Sequence, residues 1–260
     1  MRADAIRVLV LRAAGINCDE ETAFAWDQAG ARAERVHVNR LKENPAALRD
    51  YQILTIPGGF SFGDDIAAGK ILANQLAHYL GDELRRFIED GKLILGICNG
   101  FQVLVKSGLL PGDENPSAGG GRVTLAFNTQ ARYEDRWVYL RTETDRSPWI
   151  EKGEVLRMPV AHAEGRFLAD SPETLERLSR DARIAFRYVD SSGAPGGFPV
   201  NPNGSADNIA GLIDSTGRVL GVMPHPERNI HPRHDPLAGG AGTCSGRRIF
   251  DRAVRFVREH

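Results

Sequence analysis

The sequence predicts an α/β protein, a mostly parallel sheet with helices on both faces. Three observations lead there. Short apolar runs alternate with segments of helical periodicity from Ile6 to Lys106, the pattern of parallel strands joined by crossover helices. The run Leu93-Ile-Leu-Gly-Ile97 is apolar throughout, as in a strand buried on both faces. Two of the strands end in glycine-rich turns, Pro57-Gly58-Gly59 and Gly96-Ile97-Cys98-Asn99-Gly100. The carboxyl ends of such strands are where these sheets bind ligands.

The elements follow in order. Ile6 to Leu11 reads as a first strand. Asp19 to Ala29 reads as a helix, with Asn17 or Asp19 as cap and Gly30 as stop. Ala33 to Val38 is a second strand, Pro45 to Tyr51 a helical turn, and Gln52 to Ile56 a third strand. A long helical pattern runs from Ile66 to Asp90 and stops at Gly91, before the strand Lys92 to Ile97 and a helix after Cys98. The character then changes. Pro111 to Gly121 is a polar, glycine-rich loop, and strands are expected at Arg122 to Asn128, Arg136 to Thr142, Val155 to Ala161 and Arg183 to Val189. Pro172 to Arg180 reads as a helix. Asn208 to Ile213 and Arg218 to Met223 flank the turn Asp214-Ser-Thr-Gly217, a hairpin signal. Ile249, Phe250, Ala253, Val254 and Val257 mark the apolar face of a last helix starting near Ser245. No linker, repeat or low-complexity tract divides the chain, so residues 1–260 are expected to form one domain.

The formal net charge of −1 argues against a general nucleic-acid or membrane-surface binder. The three cysteines, Cys18, Cys98 and Cys244, are far apart and odd in number. That makes no disulfide framework and fits a reducing, cytoplasmic setting. No signal peptide is visible, and no apolar run approaches the length of a membrane span.

The chemistry gathers at Cys98. Glycines at Gly96 and Gly100 flank it two positions to either side, at a strand-to-helix turn. This is the nucleophile-elbow spacing with sulfur in place of oxygen. Small neighbours permit the strained central residue, and the helix N-terminus favours the thiolate that reacts. The plain alternative is a core cysteine after a strand. A cysteine nucleophile needs a base and a group that orients the base. Met223-Pro-His225-Pro-Glu227-Arg228, at the end of the second hairpin strand, offers both. Read as extended chain, positions two apart point the same way, so Glu227 reaches the His225 imidazole. Acyl transfer also needs oxyanion donors, for which the backbone N–H groups of Asn99 and Gly59 are placed.

Together these stretches carry a resemblance. Pro57-Gly-Gly59, Gly96-Ile-Cys-Asn-Gly-Phe-Gln102 and His225-Pro-Glu227 resemble class I glutamine amidotransferase domains. The runs Phe60-Ser-Phe-Gly-Asp64, Ala161-His-Ala-Glu-Gly-Arg166, Asn201-Pro-Asn-Gly-Ser205 and Met223-Pro-His-Pro-Glu-Arg228 are similar to one family among them, the glutaminase component of phosphoribosylformylglycinamidine synthase. The resemblance implies a flavodoxin-like sheet, glutamine as substrate, and Cys98, His225 and Glu227 as catalytic triad. It implies substrate contacts at Gly58, Phe60, Gln102 and Asn128. Asn128 and Tyr133 align with the family's Asn-x-Ser-x-x-Phe segment, with Gln130 where serine is usual. It also implies a separate synthetase partner, with a small accessory subunit, that uses the ammonia.

Other features point elsewhere and are set aside. Gly63 to Ile71 evokes a phosphate-binding loop, but the spacing is one residue too long and Ile71 replaces the Ser/Thr that would hold magnesium. ATP and magnesium are therefore expected on the synthetase, and no cofactor in this chain. His225, His231, His234 and Cys244 match no standard zinc spacing, so no metal is expected. His162 and Glu164 read either as a second acid/base pair or as a polar strand end. The tail Asn229 to Ser245 reads as a cover for the site, a partner contact or a plain loop. The competing classes are an amidotransferase for another acceptor, as in GMP or CTP synthesis, and a cysteine-elbow chaperone or deglycase on the same fold. The latter has no need of the Pro-His-Pro-Glu segment.

Overall fold

A computed structural model describes residues 5–112, 122–237 and 244–260. The chain opens with β1 (Arg7–Arg12), α1 (Asp19–Gln28), β2 (Arg32–His37), α2 (Val38–Glu43) and a 3-10 turn over Pro45–Asp50. β3 (Ile53–Ile56), a 3-10 turn over Ser61–Asp64, α3 (Lys70–Glu89), β4 (Leu93–Ile97) and α4 (Asn99–Lys106) follow. The second half holds β5 (Val123–Ala126), β6 (Glu134–Thr142), β7 (Val155–His162), β8 (Arg166–Ala169), α5 (Pro172–Arg180), β9 (Ile184–Val189), β10 (Ile209–Ile213), β11 (Val219–Val222) and α6 (Arg247–Glu259).

Nine strands form one sheet in the order β2-β1-β3-β4-β11-β10-β9-β6-β7. The first five are mutually parallel, with the 2-1-3-4-5 arrangement of the flavodoxin-like sheet. The other four pairings are antiparallel and extend one edge. β5 and β8 pair separately. The expected parallel α/β core is thus present, with an antiparallel wing built from the strands read after Gly108.

Burial explains the core. Val8, Leu9, Val10 and Leu11 are all fully buried although they point alternately to opposite faces, so both faces of β1 are covered. α1 packs on α6, and α3 on α4. Trp26 of α1 meets Phe250 of α6 edge-on at 4.8 Å and donates its indole N–H to Thr55 of β3 at 2.9 Å, which ties the helix layer to the sheet. Three acids in the first turn of α1, Asp19, Glu20 and Glu21, suit the positive end of its dipole. Ser171 caps α5 by accepting the Thr174 N–H at 3.3 Å, with Pro172 in the first turn.

Three sequence expectations need correction. α3 starts at Lys70, not near Ile66. Gly69 sits at φ +74° and donates its N–H to the Asp64 carboxylate at 3.1 Å, so the preceding chain turns away and Ile66 is exposed. α2 and β8, of six and four residues, are not expected from the sequence. The hairpin of β10 and β11 pairs as expected, Leu212 facing Gly221, while its Asp214 carboxylate accepts the Val219 N–H at 3.0 Å. Most of the Pro111 to Gly121 loop, and residues 238–243 of the tail, lie outside the described residues. Within the rest of the tail, Pro232–His234 forms a 3-10 turn and buried Asn229 donates to the Arg157 carbonyl at 2.6 Å.

Candidate active site

Cys98 directly follows β4 at φ 51°, ψ −105°, a conformation that costs a non-glycine residue about 1–3 kcal/mol. The two glycines make it possible. A Cβ on Gly100 would lie 1.9 Å from the Ile56 carbonyl oxygen, and one on Gly96 2.7 Å from the Gly100 carbonyl oxygen. The strained residue is pinned on both sides: its N–H donates to Val222 of β11 at 2.8 Å, and its carbonyl accepts the Gln102 N–H at 3.1 Å. The thiol stands at the N-terminus of α4 and donates to the Ala161 carbonyl at 3.7 Å.

His225 follows β11 by three residues, and its N–H donates to the Pro159 carbonyl of β7 at 2.8 Å. Its Nδ1 meets the Glu227 carboxylate at 2.6 Å, with His225 1% and Glu227 2% exposed. The pair forms by a different route from the one the sequence suggested. Pro226–Arg228 is a 3-10 turn, not extended chain, and it folds the carboxylate back onto the ring. Burial opposes a charge on His225. The Glu227 carboxylate, and after it Cys98, outweigh burial and hold the imidazole well above the usual histidine range. Nε2 is buried and has no hydrogen-bond partner among the described residues.

Gly58 joins these side chains. A Cβ there would lie 2.8 Å from His225 Cε1, 3.2 Å from Cys18 Sγ and 3.5 Å from Cys98 Cβ. Cys98, His225 and a second thiol, Cys18, therefore converge on one bare backbone position. Gly59 follows at φ +141°, where a Cβ would strike Gly15 O and Asn17 N at 2.7 and 2.8 Å. Its neighbour Phe60 is 45% exposed. The Asn99 N–H lies in the first turn of α4, where helix N–H groups lack intrahelical partners.

The remaining expected contacts bond within the protein. The Asn99 side chain accepts the Ser61 N–H at 3.2 Å and donates to Asp64 and to Gln102 at 3.2 and 2.9 Å. Gln102 donates in turn to the Glu164 carbonyl at 2.5 Å. Asn128 donates to the carbonyls of Arg132 and His162, and accepts from the Gly165 N–H at 3.0 Å. These amides brace the strand ends around the cysteine. Asn203 braces the same region through the Gly165 carbonyl at 2.8 Å. His162 and Glu164 do not act as a pair. His162 Nδ1 faces Asn128 Oδ1 at 3.2 Å, Glu164 accepts the Ala68 N–H at 3.4 Å, and burial pushes His162 down to about 3.

Sequence reasoning missed Cys18 and Arg228. Arg228 donates to Cys18 Sγ at 3.2 Å, and Cys18 is 1% exposed. The available signal was position: Cys18 directly precedes α1, in the loop beyond the carboxyl end of the parallel strand β1.

A strained cysteine at this edge beside a buried His–Glu pair is the arrangement that thiol-dependent acyl transfer, the chemistry of the amidotransferase class, requires. The chain belongs to the CobB/CobQ-like glutamine amidotransferase domain family, whose model matches residues 5–257. It is 42% identical over 260 residues to phosphoribosylformylglycinamidine synthase subunit PurQ of Dehalococcoides mccartyi, covering 98% of each chain. It is 46% identical over 236 residues to the subunit of the same name from Methanococcus maripaludis, covering 88% of this chain and 85% of the relative. Among solved structures, it is similar to a chain in the structure of PurLQS from Thermotoga maritima, at a TM-score of 0.73 and 30% identity, covering 97% of this chain and 99% of the other.

Proposed function

We propose that this chain is the glutaminase subunit of a phosphoribosylformylglycinamidine synthase. Cys98 is its nucleophile, His225 its general base and acid, and Glu227 the group that orients and charges His225. The observation that carries the proposal is the convergence at Gly58: a left-handed Cys98 and an imidazole bonded to Glu227 at 2.6 Å share one glycine-sized space. Identity to PurQ subunits over nearly the full length supports the assignment.

The geometry suits the chemistry. Cys98 attacks the side-chain amide carbon of glutamine, its proton passes to Nε2 of His225, and the Gly59 and Asn99 N–H groups receive the developing oxyanion. Collapse expels ammonia with the proton from His225 and leaves a glutamyl thioester. Water, deprotonated by His225, then releases glutamate. The ammonia goes to a synthetase partner, with a small accessory subunit, that converts formylglycinamide ribonucleotide to its amidine. ATP and magnesium belong to that partner, and the setting is cytoplasmic. Half-exposed Phe60 and Tyr133 border the site, where glutamine and the partner would meet.

The test is labelling with a glutamine-analogue diazoketone followed by peptide mapping. Modification at Cys98 is expected. Cys98→Ala should abolish glutamine-dependent synthesis in the complex and leave the reaction with added ammonia intact. Labelling at Cys18 or Cys244 instead would overturn the assignment.

A further inference from the structure

The oxyanion donors assigned above belong to two separate segments. Gly59 lies in the connection from β3 to α3, and Asn99 opens α4. The strands before them pair as far as Ile56 and Gly96, and beyond that point the two chains enter different structures. The Gly59 segment is held on its outer side, where Phe60 and Phe62 donate their N–H groups to the Gly15 and Ala14 carbonyls at 2.9 and 2.7 Å. The Gly59 N–H itself has no hydrogen-bond partner among the described residues. On the inner side the buried Asn99 side chain spans to it from α4. The carboxamide oxygen accepts the Ser61 N–H at 3.2 Å, and the nitrogen donates to Asp64 Oδ1 at 3.2 Å and to Gln102 Oε1 at 2.9 Å.

We propose that Asp64 and the Asn99 carboxamide are positioning residues that hold the two oxyanion donors at a fixed separation. The inference rests on the glutaminase reading above. A carboxamide offers two N–H donors and an acceptor oxygen, and here all three are engaged. Turned over, it would set its nitrogen against the Ser61 N–H and its oxygen against the Asp64 carboxylate and Gln102 Oε1, so its orientation is fixed. Gln102 is fixed in turn, since its Nε2 donates to the Glu164 carbonyl at 2.5 Å. Asp64 anchors the far end. It sits at φ 54°, in the left-handed region, and the oxygen that takes the Asn99 N–H also accepts the Gly69 N–H at 3.1 Å. That ties the turn to the start of α3. Gly69 packs on α4, where a Cβ would lie 3.0 Å from the Val103 side chain.

Ser61, two residues past Gly59, and the Asn99 N–H are therefore carried by one hydrogen-bonded unit. An oxyanion hole works because its donors are aimed before the charge appears. A clamp between the donors supplies that aim. Its contribution falls on the transition state and not on the binding of glutamine.

The experiment compares two reactions of Cys98 in the complex with the synthetase. Glutamine hydrolysis passes through an oxyanion. Alkylation of the thiol by iodoacetamide, read at Cys98 by peptide mapping, displaces iodide from a saturated carbon and forms none. Asn99→Ala should lower glutamine kcat on the order of 10²-fold, as loss of one oxyanion donor does, with KM within about threefold and alkylation within about twofold of the parent's. Asp64→Gly removes the carboxylate without straining the left-handed backbone and should lower kcat about tenfold with the same split. Asp64→Asn keeps an oxygen that accepts both N–H bonds, suits the same backbone, and should recover most of the rate. Where Asn99→Ala does not fold, the two Asp64 variants carry the test. A kcat within about twofold of the parent's in folded Asn99→Ala or Asp64→Gly overturns the proposal. So does alkylation that falls in step with kcat, which would make these residues supports of the nucleophile instead. Absence of glutamine turnover in the parent complex would strike the glutaminase reading itself.

Discussion

Gly58→Ala tests the convergence at the site with one methyl group. Gly58 is not in the left-handed region, so alanine brings no backbone strain and the variant reports on space alone. The new Cβ would lie 2.8 Å from His225 Cε1, against about 3.5 Å for an unstrained carbon–carbon contact. The difference, about 0.7 Å, must be absorbed by the ring. The ring is held by Glu227 at 2.6 Å and by its backbone bond to Pro159, so it can tilt only by degrading the Glu227 contact or its aim at Cys98. A misplacement of about 1 Å in a reacting group costs on the order of 10²-fold in rate, or about 2.7 kcal/mol of transition-state stabilisation. The other neighbours, Cys18 Sγ at 3.2 Å and Cys98 Cβ at 3.5 Å, tolerate the methyl with small shifts. The fold should therefore survive, with the melting temperature within a few degrees of the parent's. The assay is steady-state glutamine hydrolysis in the complex, beside a thermal melt. A folded alanine variant with parental kcat/KM would refute the placement of His225 against Gly58.

Other expectations follow from the same contacts. Glu227→Gln should remove the largest opposition to burial at His225, pull its proton affinity down, and cut kcat on the order of 10⁴-fold, as loss of the orienting carboxylate does in a serine triad; a rate within tenfold of the parent in a glutaminase assay would remove Glu227 from the triad. Gly100→Ala should fail to fold or lose the elbow, because its Cβ would sit 1.9 Å from the Ile56 carbonyl oxygen; circular dichroism and a soluble, parent-like melt would show otherwise. His162 is held at about 3, below the usual value near 6.5, so the unfolded chain binds more protons between those values. Stability should fall as pH drops through that window, by up to about 1.4 kcal/mol per pH unit. Urea titrations of His162→Gln should show a shallower acid slope than the parent, and equal slopes would contradict the burial argument.

Much of the site was legible because its constraints are local. Gly96 and Gly100 encode the elbow by spacing alone, since each removes a clash with a near neighbour in sequence or with the adjacent β3. The His225–Glu227 pair was found, although its geometry is a 3-10 turn that proline-flanked sequence does not distinguish from extended chain. Cys18 was not legible as a site residue. It meets His225 only because β1, β3, β4 and β11 lie side by side, and strand order is a property of the whole sheet. Gln102 and Asn128 carried motif signals, yet their amides close hydrogen bonds around the cysteine. A motif records that a residue matters and not which atoms it touches.

The bond from Cys98 N–H to the Val222 carbonyl has a wider consequence. Ile97 is paired with Val222 in the parallel register of β4 and β11, and His225 lies three residues beyond Val222. Cys98 and His225 are therefore carried just beyond the ends of two adjacent strands held in one register. A slip of one residue would carry the imidazole about 3.3 Å along the strand and turn alternate side chains to the wrong face. Their separation cannot drift unless the centre of the sheet comes apart. Whatever adjusts when substrate or partner arrives must come from the surrounding turns, while the distance between sulfur and ring is as durable as the core itself.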